Sequence, residues 1–498
     1  MDLAGLVTAS PGGEEPVDLA LVGGRVIDPE TNLDEVRTVG ITGGRISWLR
    51  PEVPLAARTI DATGLVVAPG FIDLHSHAQS LVGARLQALD GVTTALDLEA
   101  GRFPVATSLD AIAQESRPIN YGFSASWSAA RCALVTGEQL PLGTVLPAFD
   151  SWQAPLTGRP VDELMALLES EIADGALGIG VLLGYAPEVT RAEYLALAQL
   201  AQTHAVPTFT HTRYLSNAEP GSSLEGMLEV IGAAAATGAH MHICHLNSTS
   251  SRQIDQIVMA IERARERGLA ITTEAYPYGA GATHADAAFL DPSNLSRIGI
   301  GPTAILALKT GRFLRDVDEL VRLRADEPDA EVIMHWADEK KPADRELLLR
   351  SLLLPDTAIA TDAMDPSLHG VPLPRDEWPL PDGALTHPRS VGCYGKVFRW
   401  IVRELGALTL PEAVRRCSLR PAQILASVSP AMRRKGRVQV DCDADLVVFD
   451  PDTFADRADY AVQRPSTGVA QLFVGGTQVV RDGELDLAAL PGRAVTGH

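Results

Sequence analysis

The sequence predicts an α/β protein: a TIM-like (β/α)8 barrel with a small composite β-sandwich domain formed by both termini. Three observations carry this expectation. Both ends of the chain consist of short β-branched runs separated by Gly-Gly turns, the text of hairpins. Between them, strand-like and helix-like segments alternate, which implies βαβ units and a parallel sheet. Eight strand-like cores occur in that middle region, and no G-x-G-x-x-G follows the first, so a closed barrel fits better than an open dinucleotide-binding sheet.

Taken in order, residues 1–16 form a tail. From Val17 the stretches DLALVGGRVID, TVGITGGRISWLR and ARTIDATGLVVAPG supply hairpins, so residues 1–67 are assigned to the β-sandwich domain. The barrel is assigned to residues 68–427. Its strand cores are GFIDLHSH, GVTTALDLE, NYGFSAS, GALGIGVLL, VPTFTHT, HMHICHLNS, AITTEAYPY and AIATDAM, and amphipathic stretches such as 191–204 and 223–237 lie between them. A long segment at about 283–357 reads as an insertion after a strand, on the barrel face where lids belong. Strand text returns in KGRVQVDCDADLVVFD and VAQLFVGGTQVVRDGEL, so residues 428–498 complete the sandwich domain.

Composition narrows the functional classes. The 498 residues carry a net charge of −21, which disfavours nucleic-acid and anionic-membrane partners. Self-association is left open. Five scattered cysteines contain no C-x-x-C pair, and the N-terminus lacks the basic start of a signal peptide. A cytoplasmic protein is expected.

The chemistry begins at His75 and His77. Residues i and i+2 of a strand point to one face, about 7 Å apart, so two imidazoles at a strand end can converge on a cation. His211 ends VPTFTHT, His245 ends HMHICHLNS, and Asp362 ends TAIATDAM, each at the strand-to-loop junction where barrel sites form. His240 and His242 have the opposite parity to His245 and are expected to face the surrounding helices. Four histidines and an aspartate suit Zn²⁺, as one or two ions, with a position left for water. Such a metal lowers the pKa of bound water towards about 7. Asp362 is then placed to take the proton of that water and deliver it to a leaving amine.

This series of motifs resembles the amidohydrolase superfamily, and within it the N-acyl-D-amino acid deacylases. The resemblance runs from LVGGRVIDPETN to PSTGVAQLFVGGTQVVRDGEL, and rests on VVAPGFIDLHSH, the separated His211 and His245, TDAMDP, AYPYGAGAT and THPRSVGCYGKV. It implies a metal-dependent hydrolase that cleaves the amide of N-acyl amino acids, with the D-isomers as substrates. The alternative is hydrolysis of a cyclic amide, a dipeptide or another specialised amide on the same scaffold.

Two departures from the family pattern stand out. The carboxylated lysine of hydantoinase-like relatives falls where Gly180 stands, and the bridging cysteine of the deacylases falls within GVTTALDLEAG, which has none. Glu99 is expected to replace it as a metal ligand, with Asp97, one step deeper at the same parity, as the alternative. On the substrate side the resemblance implies that Arg389 and Tyr276, with Tyr278 as a further candidate, hold a substrate carboxylate. The family's usual third carboxylate partner, a lysine, is replaced by Asn247, which is expected to line the substrate site in its place. The loop between Asp362 and His387 is longer than usual, and brings Arg375 and Trp378 as candidates for contact with a larger substrate.

Overall fold

The computed structural model describes residues 15–141, 144 and 150–497. Residues 1–14 of the expected tail lie outside the described residues. Eight parallel strands form one sheet in which every strand neighbours the next in sequence: β1 (Phe71–Asp73), β2 (Val92–Arg102), β3 (Asn120–Ser126), β4 (Ile179–Leu182), β5 (Thr208–His211), β6 (Met241–Ile243), β7 (Ile271–Ala275) and β8 (Thr357–Ile359). Every residue of these strands is buried, because the barrel interior fills one face and helices cover the other. That is why the strands read as almost unbroken apolar runs. Helix boundaries follow local chemistry. The helix Ser223–Thr237 opens on a capping box of Ser222 and Glu225 and ends at Gly238, whose φ of 78° suits a residue without a Cβ.

Polar contacts close the seam between β8 and β1. Ser76 pairs with Ala363, the Asp362 N–H donates to the His75 carbonyl at 2.7 Å, and the His77 N–H donates to the Ala363 carbonyl at 2.8 Å. Beneath them the buried Asp73 carboxyl accepts the Thr361 N–H at 3.0 Å, the Thr361 hydroxyl at 2.5 Å and the Gln87 amide at 3.0 Å.

Strands from the two ends of the chain make one nine-stranded sheet, joined where Val66–Pro69 runs antiparallel to Leu446–Phe449. The sheet curls on itself, and the 43–44 turn reaches the 475–476 turn. A Cβ on Gly44, whose φ is +81°, would lie 2.7 Å from the Gly475 carbonyl oxygen. Alternate residues then serve two cores: Val67, Leu446, Val448 and Phe473 face the inside of the curl, while Val66, Ala68, Val447 and Phe449 pack with the barrel.

After β7 the chain builds a separate four-stranded sheet from Ala280–His284, Ile305–Ala307, Arg312–Phe313 and Glu331–His335. The sequence pattern placed the insertion at about 283–357. The added sheet instead begins at Ala280, and the helix Pro342–Leu352 is part of the barrel wall. Leu348 and Leu352 of that helix are buried, and it packs on the helix Ile254–Glu266 and on β7 and β8. Among the described residues, no helix is long and apolar enough to cross a membrane, and all five cysteines are buried and unpaired.

The junction of barrel and curled sheet is aromatic. Phe71, at the root of β1, stacks on Tyr394 at 5.0 Å and on Phe398 at 5.4 Å, and Phe449 lies 5.1 Å from Phe398 and 5.3 Å from Phe454. Phe449→Ala is therefore expected to lower stability by about 3–5 kcal/mol, read as an earlier first transition in urea denaturation.

Candidate metal centre

All six residues expected as metal ligands meet at the C-terminal mouth of the barrel, and all are buried. Glu99 sits at their middle. Its Oε2 lies 3.1 Å from His75 Nε2 and 3.6 Å from His77 Nε2. Its Oε1 lies 2.8 Å from His245 Nε2 and 3.2 Å from His211 Nδ1. Asp362 Oδ1 is 3.5 Å from His75 Nε2 and 3.6 Å from His77 Nε2. The strands explain the convergence: β1 delivers the two histidines beyond its end, β2 runs on as far as Arg102 and so carries Glu99 into the mouth, and β5 ends on His211 itself.

The donor set fits a divalent cation. Ligand atoms of His75, His77 and Glu99 lie within 4.8 Å of one another, as do those of Glu99, His211 and His245, and those of His75, His245 and Asp362. His75 Nε2 and His77 Nε2 face each other at 3.1 Å, and His211 Nδ1 and His245 Nε2 converge on one Glu99 oxygen at 3.2 and 2.8 Å. Buried polar atoms are normally satisfied, and a shared cation would satisfy these.

Three side chains behind the imidazoles orient them, and of these Glu274 and Ser248 were missed by sequence reasoning. The Nδ1 atom of His75 lies 2.5 Å from Glu274 Oε1, that of His77 lies 3.0 Å from Asp97 Oδ1, and that of His245 lies 3.0 Å from Ser248 Oγ. An N–H donated there leaves the Nε2 lone pair aimed at the mouth. Asp97, the alternative to Glu99 from sequence, thus supports His77 from behind, with Arg102 at 3.0 Å on its other oxygen. His242 bonds Glu274 at 3.0 Å and Thr272 at 2.8 Å, outside the cluster.

The electrostatics follow from this crowding. Burial raises the cost of charge on Glu99, yet His75, His245 and His211 hold its carboxyl well below the usual range. Burial likewise opposes charge on His77, but Asp97 and Glu99 outweigh it and lift the pKa to about 9. On His211 burial prevails and the pKa is lowered.

Arg389 and Tyr276 lie beside the cluster, the guanidinium 4.6 Å from the tyrosine ring centre. Arg389 is fully buried. Its Nη2 lies 2.7 Å from Asp362 Oδ2, outside hydrogen-bond geometry, while Nε and Nη1 have no partner. Asn247 and Tyr278 are placed differently from the sequence expectation. The Asn247 side chain is held by the backbone, accepting from the Tyr276 N–H and donating to the Tyr278 carbonyl, each at 3.3 Å. The Tyr278 hydroxyl donates to the Gly392 carbonyl at 3.3 Å, and its ring carries the Lys396 ammonium at 3.7 Å. The cause is local: β6 stops at Ile243 and the chain turns at His245, with φ of 29°, into the short helix Leu246–Ser250. Strand parity no longer governs Asn247. Arg375 donates to the Glu115 carbonyl, and Trp378 packs beside Leu86 and Val391, so neither lines the pocket.

Above the cluster is a narrow pocket of about 40 Å³, lined by His77, Glu99, His211, His245, Tyr276 and Asp362 on the polar side. Leu182, Leu215, Phe289, Met334 and Met364 form its apolar side. Phe289 and Met334 come from the added segment after β7, whose packing over the barrel the local sequence pattern does not specify.

Residues 58–268 match the family model described as the amidohydrolase family. The chain is 27% identical to the D-aminoacylase of Alcaligenes xylosoxydans xylosoxydans, over 94% of this chain and 96% of that one. It is 26% identical to the N-acyl-D-glutamate deacylase of the same organism, over 94% of each. Among solved structures it resembles the N-acyl-D-glutamate deacylase of Bordetella bronchiseptica, complexed with zinc and a phosphonate mimic of the reaction's tetrahedral intermediate. The TM-score is 0.74 at 23% identity, covering 97% of this chain and 100% of that one. With the barrel, the donor cluster and these relatives together, residues 58–268 carry an amidohydrolase-family domain, and the chain is a metal-dependent hydrolase of carbon–nitrogen bonds.

Proposed function

We propose that the protein deacylates N-acyl-D-amino acids, with Arg389 anchoring the substrate α-carboxylate. The observation that carries this reading is the fully buried guanidinium of Arg389, with Nε and Nη1 unpartnered, set beside the donor cluster and Asp362. A buried cation of this kind calls for an anion, and a planar fork suits a carboxylate. The names of the relatives support the D-configured, N-acylated substrate.

His75 and His77 with one oxygen of Glu99, and His211 and His245 with the other, would hold one or two zinc-like ions. When bound, such an ion supplies a Lewis acid and makes water acidic enough to act as a nucleophile near neutral pH. The chain's own residues do the rest. Arg389 and the Tyr276 hydroxyl fix the carboxylate, which places the scissile amide at the mouth of the barrel. The Asp362 carboxylate accepts a proton from the attacking water, the new C–O bond forms at the acyl carbon, and the proton passes to the nitrogen as the C–N bond breaks. The products are a carboxylic acid and a free amino acid. Leu182, Leu215, Phe289 and Met334 keep bulk water from the reacting carbon.

The direct test is zinc-loaded protein against paired N-acetyl-D- and N-acetyl-L-amino acids. D-selective turnover is expected; turnover of cyclic amides with none on any D-isomer would replace this reading with the cyclic-amide one. Arg389→Met should lower kcat/KM for these substrates about 100-fold, mainly through KM, because a charge-assisted anchor contributes roughly 3 kcal/mol. Asp362→Asn should cut kcat by about 10²–10⁴-fold at saturating substrate. Metal affinity should rise with pH. In the metal-free protein His77 stays protonated below about 9, a cation must displace that proton, and chelator competition at pH 6 and pH 8.5 should show tighter binding at the higher value.

A further inference from the structure

A second cavity adjoins the reaction pocket, and two side chains stand between them. The cleft, of about 450 Å³, lies on the outer side of Leu215 and Phe289, and both residues also line the narrow pocket of about 40 Å³ above the donor cluster. Phe289 sits on the turn Ala288–Leu290 of the added segment and is 8% exposed. Its ring stacks on His211 at 6.0 Å with an interplanar angle of 12°, and meets Tyr185 at 5.3 Å with an angle of 66°. Leu215, on the loop after β5, is 7% exposed. The two are thus packed as a wall, not as loose surface groups.

The position of this wall relative to the carboxylate anchor says what it limits. Arg389 covers Tyr276 at 4.6 Å, Tyr276 neighbours His245 at 6.4 Å, His245 neighbours His211 at 4.7 Å, and His211 stacks on Phe289. A substrate whose carboxylate is on Arg389 and whose amide is at the donors directs its acyl group along this series, towards Phe289. Beyond it the cleft carries no net charge. Arg213 is paired with Glu229 at 2.6 and 2.7 Å, and the other charges along it are one anion, Glu188, and one cation, Arg297, whose guanidinium is occupied by the carbonyls of Ala218 and Pro220. Pro187, Pro220 and Ala288 add apolar surface. An uncharged acyl chain suits this space better than an anionic one.

We infer that Phe289, with Leu215, is a specificity-determining partition that limits the protein to short acyl groups, and that the cleft behind it would accept longer ones. The inference rests on the deacylase reading and adds to it the residue that sets acyl length. The experiment compares kcat/KM for N-acetyl and N-octanoyl forms of one D-amino acid in wild type, Phe289→Ala and Leu215→Ala. Wild type should favour the acetyl substrate, and the octanoyl-to-acetyl ratio should rise about tenfold or more in either variant. Because the ratio is taken within each enzyme, partial misfolding cancels, and Leu215→Ala decides if Phe289→Ala does not fold. A ratio unchanged in the folded variants, or a wild type that already prefers the octanoyl substrate, overturns the partition while leaving the deacylase reading intact. A wild type that hydrolyses no N-acyl amino acid of either length removes that reading and this inference with it.

Discussion

Four imidazoles share the mouth of this barrel because a single buried carboxylate lies between them. Glu99 turns one oxygen to His75 and His77 and the other to His245 and His211. An unpaired carboxylate at that depth would be costly, and four neutral rings around an empty space would leave their lone pairs unsatisfied. Together with Asp362 they form a set whose members need one another and, through the facing Nε2 atoms, need a cation. The rest of the barrel rim is arranged to keep this set in place.

That arrangement is largely a matter of the seam and of the acids behind the rings. Asp73 joins the ends of β1 and β8 through Thr361, and so fixes the spacing between His75, His77 and Asp362, which belong to opposite ends of the barrel sequence. Burial lifts the Asp73 carboxyl to a pKa of about 7, which is tolerated because four donors surround it. Glu274 and Asp97 play the matching part for orientation, each taking an imidazole Nδ1. Carboxylates on the outer side of the rings make the inner nitrogens better donors to a metal.

What the sequence made legible follows from how local each signal is. The eight strands could be read because burial on both faces turns each into a short apolar run. His75, His77, His211 and Asp362 could be read because a strand end has only one inner face. Glu99 needed a second step, since its own strand text is simply an acid among apolar residues. Asp97 and Glu274 carried that same signal, two residues before Glu99 and Tyr276 respectively, and their parity pointed to the site. Asn247 and Tyr278 were misplaced because the chain leaves strand geometry at His245 and again after Ala275, and period two stops applying there. Phe289, Met334 and Tyr185 reach the pocket only through long-range packing, for which no spacing rule exists.

The charge balance around Arg389 ties recognition to the metal centre. Among the side chains beside it, the anion nearest its guanidinium is Asp362, whose other oxygen faces His75 and His77. Asp362 therefore answers to two cationic partners, the arginine and whatever occupies the donor cluster. Any ion drawn to Oδ1 competes for the charge that otherwise neutralises Arg389. A substrate carboxylate on Nε and Nη1 restores that neutrality and leaves Asp362 to handle the proton. An uncharged amide entering the same pocket would leave the buried arginine undercompensated. The family's usual lysine is absent and Asn247 is held by the backbone, so this balance falls on one guanidinium, with the Tyr276 hydroxyl beside it.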